Sequence, residues 1–188
     1  MFALLETAKD QGVPHTYVHF LGDGRDTAPR SSNKYAQQLL DFIHKIEYGE
    51  IATVIGRYYA MDRDKRWERI KIAVDGLVQG VGEKVEQGQE GIVKAIEANY
   101  EHDVTDEFFK PIIVNGDKGR IKGTLKWKVY LLMKVDNISS DGDTLFFFNY
   151  RSDRMREITS VLGLPNKPME VTVPKDTVRT VFLLDVAI

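Results

Sequence analysis

Short apolar runs in this chain stop abruptly in loops crowded with arginine and aspartate. That repeated break constrains the fold more than any other feature. Residues 17–20 lead into "LGDGRDTAPR", residues 51–55 into "GRYYAMDRDKRW", and residues 145–148 into "NYRSDR". Short aromatic and β-branched runs bounded by polar loops read as buried strands. Between them the apolar spacing is helical, over residues 2–9, 35–46, 67–78, 91–100 and 153–162, with Leu39, Leu40, Phe42 and Ile43 on the buried side of the second helix. Ser31 and Ser32 read as its N-cap. Further strands are expected over 111–114 and 170–173, and 80–91 reads as an exposed connection or frayed helix end. Strands alternating with helices predict an α/β fold, a layered α/β/α domain with a largely parallel sheet.

Parallel strands present their carboxyl ends on one edge, and ligands of open α/β sheets bind outside that edge. Asp23, Arg25 and Asp26 of the first loop, Arg57, Asp62 and Arg63 of the second, and Asn149, Arg151, Asp153 and Arg154 of the third are then expected to converge on one cleft. Arginine presents a planar fork of donors that matches carboxylate and phosphate. A small ligand carrying both groups is the guest this chemistry suits. Asp26, set among guanidinium groups, favours its ionised form and can accept a proton from a ligand hydroxyl. The competing reading is a set of surface ion pairs of little energetic worth. For one loop that reading wins; three strand ends with the same chemistry outweigh it. Tyr58, Tyr59 and Trp67 read as packing residues, and Met61 as core or pocket wall.

Composition narrows the partners. A chain of 188 residues, 43% hydrophobic and 29% charged, suits one domain with a core of its own. A formal net charge of -2 lacks the basic excess expected for a nucleic-acid or anionic-membrane partner. No cysteine is present, which removes disulfides and thiolate metal sites. No apolar stretch has membrane-spanning length, and the amphipathic start does not read as a targeting segment. There is no P-loop, and Gly22 and Gly24 lack the third glycine of a dinucleotide fingerprint. His15, His19, His44 and His102 have no zinc-ligand spacing, and His19 reads as a hydrogen-bonded core histidine. Asp141-Gly142-Asp143 is turn chemistry without the rest of a calcium loop. No serine sits in a nucleophile elbow.

The segments "VHFLGDGRDTAPRS", "IATVIGRYYAMDRDKRWERIKIA", "TDEFFKPIIV" and "DGDTLFFFNYRSDRMREI" resemble the cofactor-independent (2,3-bisphosphoglycerate-independent) phosphoglycerate mutase family, from about residue 2 to about residue 175. The resemblance implies the phosphotransferase, or substrate-binding, domain of a glycolytic isomerase. It implies that Arg25, Asp26, Arg57, Arg63, Arg151 and Arg154 bind 2- or 3-phosphoglycerate, with Asp26 as acid/base for the glycerate hydroxyls. It further implies a monomeric cytoplasmic enzyme whose two Mn2+ ions and serine nucleophile belong to a separate phosphatase-like domain. That domain is not recognisable in this chain, so residues 1–188 by themselves are expected to be inactive as a mutase and to bind no metal. The alternatives are a stand-alone module binding a small phosphorylated acid, or an inactive truncated product.

Two stretches depart from the family pattern. "GTLKWKVYLLMKVDNISS", residues 123–140, interrupts the expected run from "GRIK" into "DGDTLFFF", and "TVRTVFLLDVAI" follows "VTVPKD" at residues 177–188. The domain is accordingly expected over 1–175, with an atypical insert at 123–140 and an atypical tail at 176–188. A translated intron and a read-through tail are the favoured explanation, which places the insert outside the sheet core. The competing explanation is an added β-ribbon and a terminal strand.

Overall fold

The computed structural model describes residues 1–85, 88–114, 116–121, 128–132, 144–149, 151–164, 166, 168–170 and 180–183, with the backbone alone described for 128–132, 144 and 180–183. Among the described residues the strands are β1 (His15–Gly22), β2 (Glu50–Gly56), β3 (Glu83–Lys84), β4 (Ile112–Ile113), β5 (Lys128–Leu132), β6 (Thr144–Phe147) and β7 (Thr180–Leu183). The α-helices are α1 (Phe2–Asp10), α2 (Ser32–Ile46), α3 (Arg57–Ala60), α4 (Trp67–Val74), α5 (Ile92–Glu101) and α6 (Arg156–Gly163).

The strands form one sheet in the order β3-β4-β2-β1-β5-β6-β7. From β2 through β7 every neighbouring pair is parallel. Only β4 runs against β2, carrying β3 with it. Alternation along the strands sorts the core onto two faces, as the pleat requires. Tyr17, Leu145 and Phe147 face one side, where α4 and α6 contribute Ile70, Ala73, Ile158 and Val161. Val18, Ile51 and Phe146 face the other, where α1, α2 and α5 contribute Leu5, Leu39, Ile43, Ile92 and Ile96. This is the expected α/β/α layering.

Several local expectations are corrected. Residues 80–91 are not merely a connection, because Glu83–Lys84 forms β3 and Gly88–Gly91 a 3-10 turn. The helix beginning at Trp67 changes at Asp75 into a π turn that ends at Gln79. The helix expected over 153–162 is a 3-10 turn, Ser152–Arg154, followed by α6. The insert does not lie outside the sheet: Lys128–Leu132 takes the position between β1 and β6, pairing with both. Thr180–Leu183 of the tail pairs with β6. A run of β-formers such as "KVYLL" joins whichever parallel edge has open donors and acceptors, whatever the family pattern around it. The strand expected over 170–173 falls almost wholly outside the described residues, as do Trp127 and Asp141-Gly142-Asp143.

The register between β1 and β2 shifts by one residue between Val18 and His19. The shift sets Thr53 opposite His19, and the two buried side chains share a hydrogen bond of 2.8 Å. Burial drives the imidazole down to about 3, so it is neutral in the folded protein. The core-histidine expectation therefore holds.

Candidate functional site: an arginine cluster at the carboxyl edge of the sheet

Because β1, β2 and β6 are parallel through β5, Gly22, Gly56 and Phe147 end on the same edge. The segment containing the Asp106–Phe108 3-10 turn crosses over two of these ends. A Cβ at Gly56 would meet the Glu107 carbonyl oxygen at 2.3 Å, and one at Gly22 the Asp106 carbonyl oxygen at 2.6 Å. Glycine is required at both strand ends because backbone lies directly on them. The Gly56 N–H donates to the Phe109 carbonyl at 2.8 Å.

Asp106 then secures the first loop. Its carboxylate is fully buried. It accepts the N–H groups of Ser31 and Ser32 at 3.0 and 2.9 Å and the Ser31 hydroxyl at 3.3 Å. The Tyr100 hydroxyl donates to its other oxygen. Ser31 is the N-cap residue of α2, as expected, but makes no side-chain cap bond. A carboxylate distant in sequence does that work, and no local spacing signals it. Burial, reinforced by the Asp106 hydrogen bond and charge, pushes the Tyr100 phenol well above its usual range.

Most of the expected site residues come together. Arg57 is 3% exposed and donates from one Nη1 to both Asp23 and Asp26, the latter at 3.0 Å. Arg151 reaches the other Asp26 oxygen at 3.2 Å. Arg63 pairs with Asp153 at 2.7 Å. Arg154 donates to the Met61 carbonyl at 3.1 Å. Asn149 leans its amide on the Met61 sulfur at 3.6 Å, so Met61 is wall and carbonyl anchor together. Arg25 departs from the group: its guanidinium turns to Glu107 at 3.7 Å. Asp62 departs as well. It is 4% exposed and accepts the N–H groups of Asp64 and Arg66 at 3.0 and 2.9 Å, holding its own loop rather than offsetting the clustered arginines. Tyr58 packs edgewise on Tyr59 and against Phe108, with the Arg69 guanidinium 3.8 Å over its ring.

The charges act on one another. The hydrogen bond from Arg57 holds the Asp26 carboxyl below its usual value against a small burial effect, and the charges of Arg57, Arg151 and Arg154 add to it. Burial works against the Arg57 cation, but its bonds to Asp26 and Asp23 outweigh that and hold it above its usual value. Arg154 is opposite in character. Burial first, then the charges of Arg57, Arg63 and Arg151, pull it below its usual value. Its Nε is buried and without a hydrogen-bond partner among the described residues, and no described carboxylate pairs with it.

No group of three or more His, Asp or Glu side chains among the described residues is placed to hold a metal ion. A separate cleft of about 530 Å³ opens at the opposite edge of the sheet, lined by His15, Tyr17, His44, Glu47, Tyr48 and Glu50 among others. Its acidic side chains, Glu47 and Glu50, have the wrong sign for holding an anion. No helix among the described residues is long and apolar enough to cross a membrane.

These features define an α/β/α domain whose carboxyl edge carries a cluster of arginines, donors of the kind that match carboxylate and phosphate. The chain belongs to the BPG-independent PGAM N-terminus family, whose model matches residues 1–185. Its relatives include the 2,3-bisphosphoglycerate-independent phosphoglycerate mutases of Onchocerca volvulus, 51% identical over 87% of this chain and 28% of the relative, and of Caenorhabditis elegans, 46% identical over 87% and 27%. That of Myxococcus xanthus is 44% identical over 88% of this chain and 29% of the relative. The chain thus spans less than a third of the length of the curated relatives it matches. A solved structure of Leishmania mexicana phosphoglycerate mutase at low cobalt concentration shares the fold, with a TM-score of 0.67 and 24% identity over 96% of this chain and 30% of that one.

Proposed function

We propose that this chain is the phosphoglycerate-holding part of a 2,3-bisphosphoglycerate-independent phosphoglycerate mutase that interconverts 3-phosphoglycerate and 2-phosphoglycerate in glycolysis and gluconeogenesis. The observation that carries the reading is Arg154, a partly buried cation whose Nε has no hydrogen-bond partner among the described residues and on which the charges of Arg57, Arg63 and Arg151 outweigh that of Asp153. Like charges so close repel unless an anion joins them. In this reading Arg57, Arg63, Arg151 and Arg154 hold the phosphate and carboxylate of the ligand, and Arg25 contacts it from the Glu107 side. Asp26, kept ionised by Arg57, takes a proton from a glycerate hydroxyl and returns it. Phosphoryl transfer to a serine, with two Mn2+ ions, is assigned to the phosphatase-like domain of the longer relatives. The protein acts as a cytoplasmic monomer.

Calorimetric titration of the chain with 3-phosphoglycerate tests the reading. Binding is expected, weakening as salt screens the cluster. Arg154→Ala should weaken it by about ten- to a hundredfold, the worth of a charge-assisted hydrogen bond. Asp26→Asn should leave binding intact or tighten it, because Asp26 is the anion now using the Arg57 and Arg151 donors. A parent that does not bind the ligand, or an Arg154→Ala variant that binds it equally well, overturns the assignment.

A further inference from the structure

We propose that Glu157 is a positioning residue, whose side chain ties the 62–66 loop carrying Arg63 to helix α6 and so sets the spacing between Arg63 and Arg154. The inference rests on reading those two arginines as parts of one anion site.

Glu157 lies in the first turn of α6, immediately beyond the Ser152–Arg154 turn. A glutamate there is ordinarily solvated, yet this one is 8% exposed. Its Oε1 accepts the Lys65 backbone N–H at 2.8 Å. Lys65 has φ 59°, a left-handed conformation costly to a residue with a Cβ. The tie is therefore fastened at the most strained point of the loop. Asp62 holds the loop from within, through the N–H groups of Asp64 and Arg66 and through Arg66 and Arg69 at 3.2 and 3.6 Å. Arg63 lies between these two anchors and reaches across to Asp153 at 2.7 Å. A closed circuit results: the loop to Arg63, Arg63 to Asp153, the turn onward to Arg154 and Glu157, and Glu157 back to the Lys65 N–H.

The electrostatics agree with the geometry. Burial raises the Glu157 carboxyl above its usual value, and the neighbouring Asp62 and Asp64 charges push the same way, against the bond from Lys65. The raised carboxyl eases its repulsion with Asp62, while the tie itself needs only an oxygen at Oε1 to accept the Lys65 N–H.

Two measurements on the 188-residue chain decide the matter: amide hydrogen exchange at Lys65, and calorimetric titration with inorganic phosphate well below the melting temperature of every variant. Glu157→Ala should speed Lys65 exchange and weaken phosphate binding, each by about tenfold, as expected for one lost hydrogen bond and a displaced charge. Glu157→Gln, neutral and with the same acceptor oxygen, should restore both. If the alanine variant melts lower but binds phosphate as the parent does, the residue is merely structural and the proposal is wrong. It is equally wrong if Lys65 exchange is unchanged or if glutamine fails to rescue. Should the alanine variant not fold, Glu157→Asp, one methylene shorter, takes its place with the same expectations. If parent and Arg154→Ala alike ignore phosphate, the anion-site reading falls. Lys65 exchange, together with exchange at the Arg63 guanidinium, whose Nη1 donates to Asp153, then decides the tie alone.

Discussion

Asp106→Ala should lower the unfolding free energy by roughly 3–5 kcal/mol, the sum of a lost helix cap and of buried donors left without an acceptor. The carboxylate is fully buried and receives two backbone N–H groups and two hydroxyls. Alanine removes both carboxylate oxygens, so the Ser31 N–H and the Tyr100 hydroxyl lose that acceptor, while the Ser32 N–H keeps the Tyr100 oxygen at 3.1 Å and the Ser31 hydroxyl the Ala28 carbonyl at 2.8 Å. The melting temperature should fall by roughly 10 °C for a chain of this size. Asp106→Asn, which keeps one carbonyl acceptor, should lose less. Denaturant titration of the three proteins is the check, and an alanine variant within about 1 kcal/mol of the parent would show that water replaces the carboxylate. The backbone N–H of residue 106, which donates to the Pro29 carbonyl at 2.9 Å, survives the substitution, but loss of the carboxylate that anchors Ser31 and Ser32 should leave the preceding Asp23–Asp26 loop held less firmly and anions bound more weakly.

His19 should make the protein acid-sensitive well above the carboxylate range. Its folded value is depressed to about 3, against an ordinary value of 6.5. Between these limits the unfolded chain binds a proton that the folded chain refuses, so stability is greatest above pH 6.5 and falls as the pH is lowered toward 3. The slope approaches about 1.4 kcal/mol per pH unit, or about 2 kcal/mol between pH 6.5 and pH 5. His19→Gln keeps a polar partner for Thr53 and removes the titration. The difference in stability between parent and variant, measured by urea unfolding across that range, should shrink or change sign as the pH falls. A difference that stays constant with pH would mean that His19 titrates normally in the folded state.

Much of the fold was legible in the sequence because strand and helix periods are local properties. The runs at 17–20 and 51–55 have no other buried use, and the helix over 35–46 shows its apolar face directly. The shared edge for the arginine loops followed from parallel strands, and the structure brings Asp26, Arg57, Arg63, Arg151 and Arg154 to that edge. Arg25 could not be placed the same way. Its neighbour Glu107 arrives from a segment that crosses the strand ends, and nothing near Arg25 in sequence announces that crossing. Asp62 looked like one more acid among the arginines. Its isolation depends on whether its oxygens meet its own loop's N–H groups, which only folded backbone decides.

Residue type and period determined by themselves the α/β class, the buried helix faces and the charge carried by each strand-end loop. Tertiary structure decided which charges meet. The one-residue register shift sets Thr53 beside His19, Asp106 caps a helix begun at Ser32, Glu157 accepts from Lys65, and Lys128–Leu132 enters the sheet between β1 and β6. The physical reason is common to all four. Each pairs groups far apart in the chain, and each is settled because an unpaired donor, acceptor or charge is costly in the fold, which selects the partner that folding brings within reach.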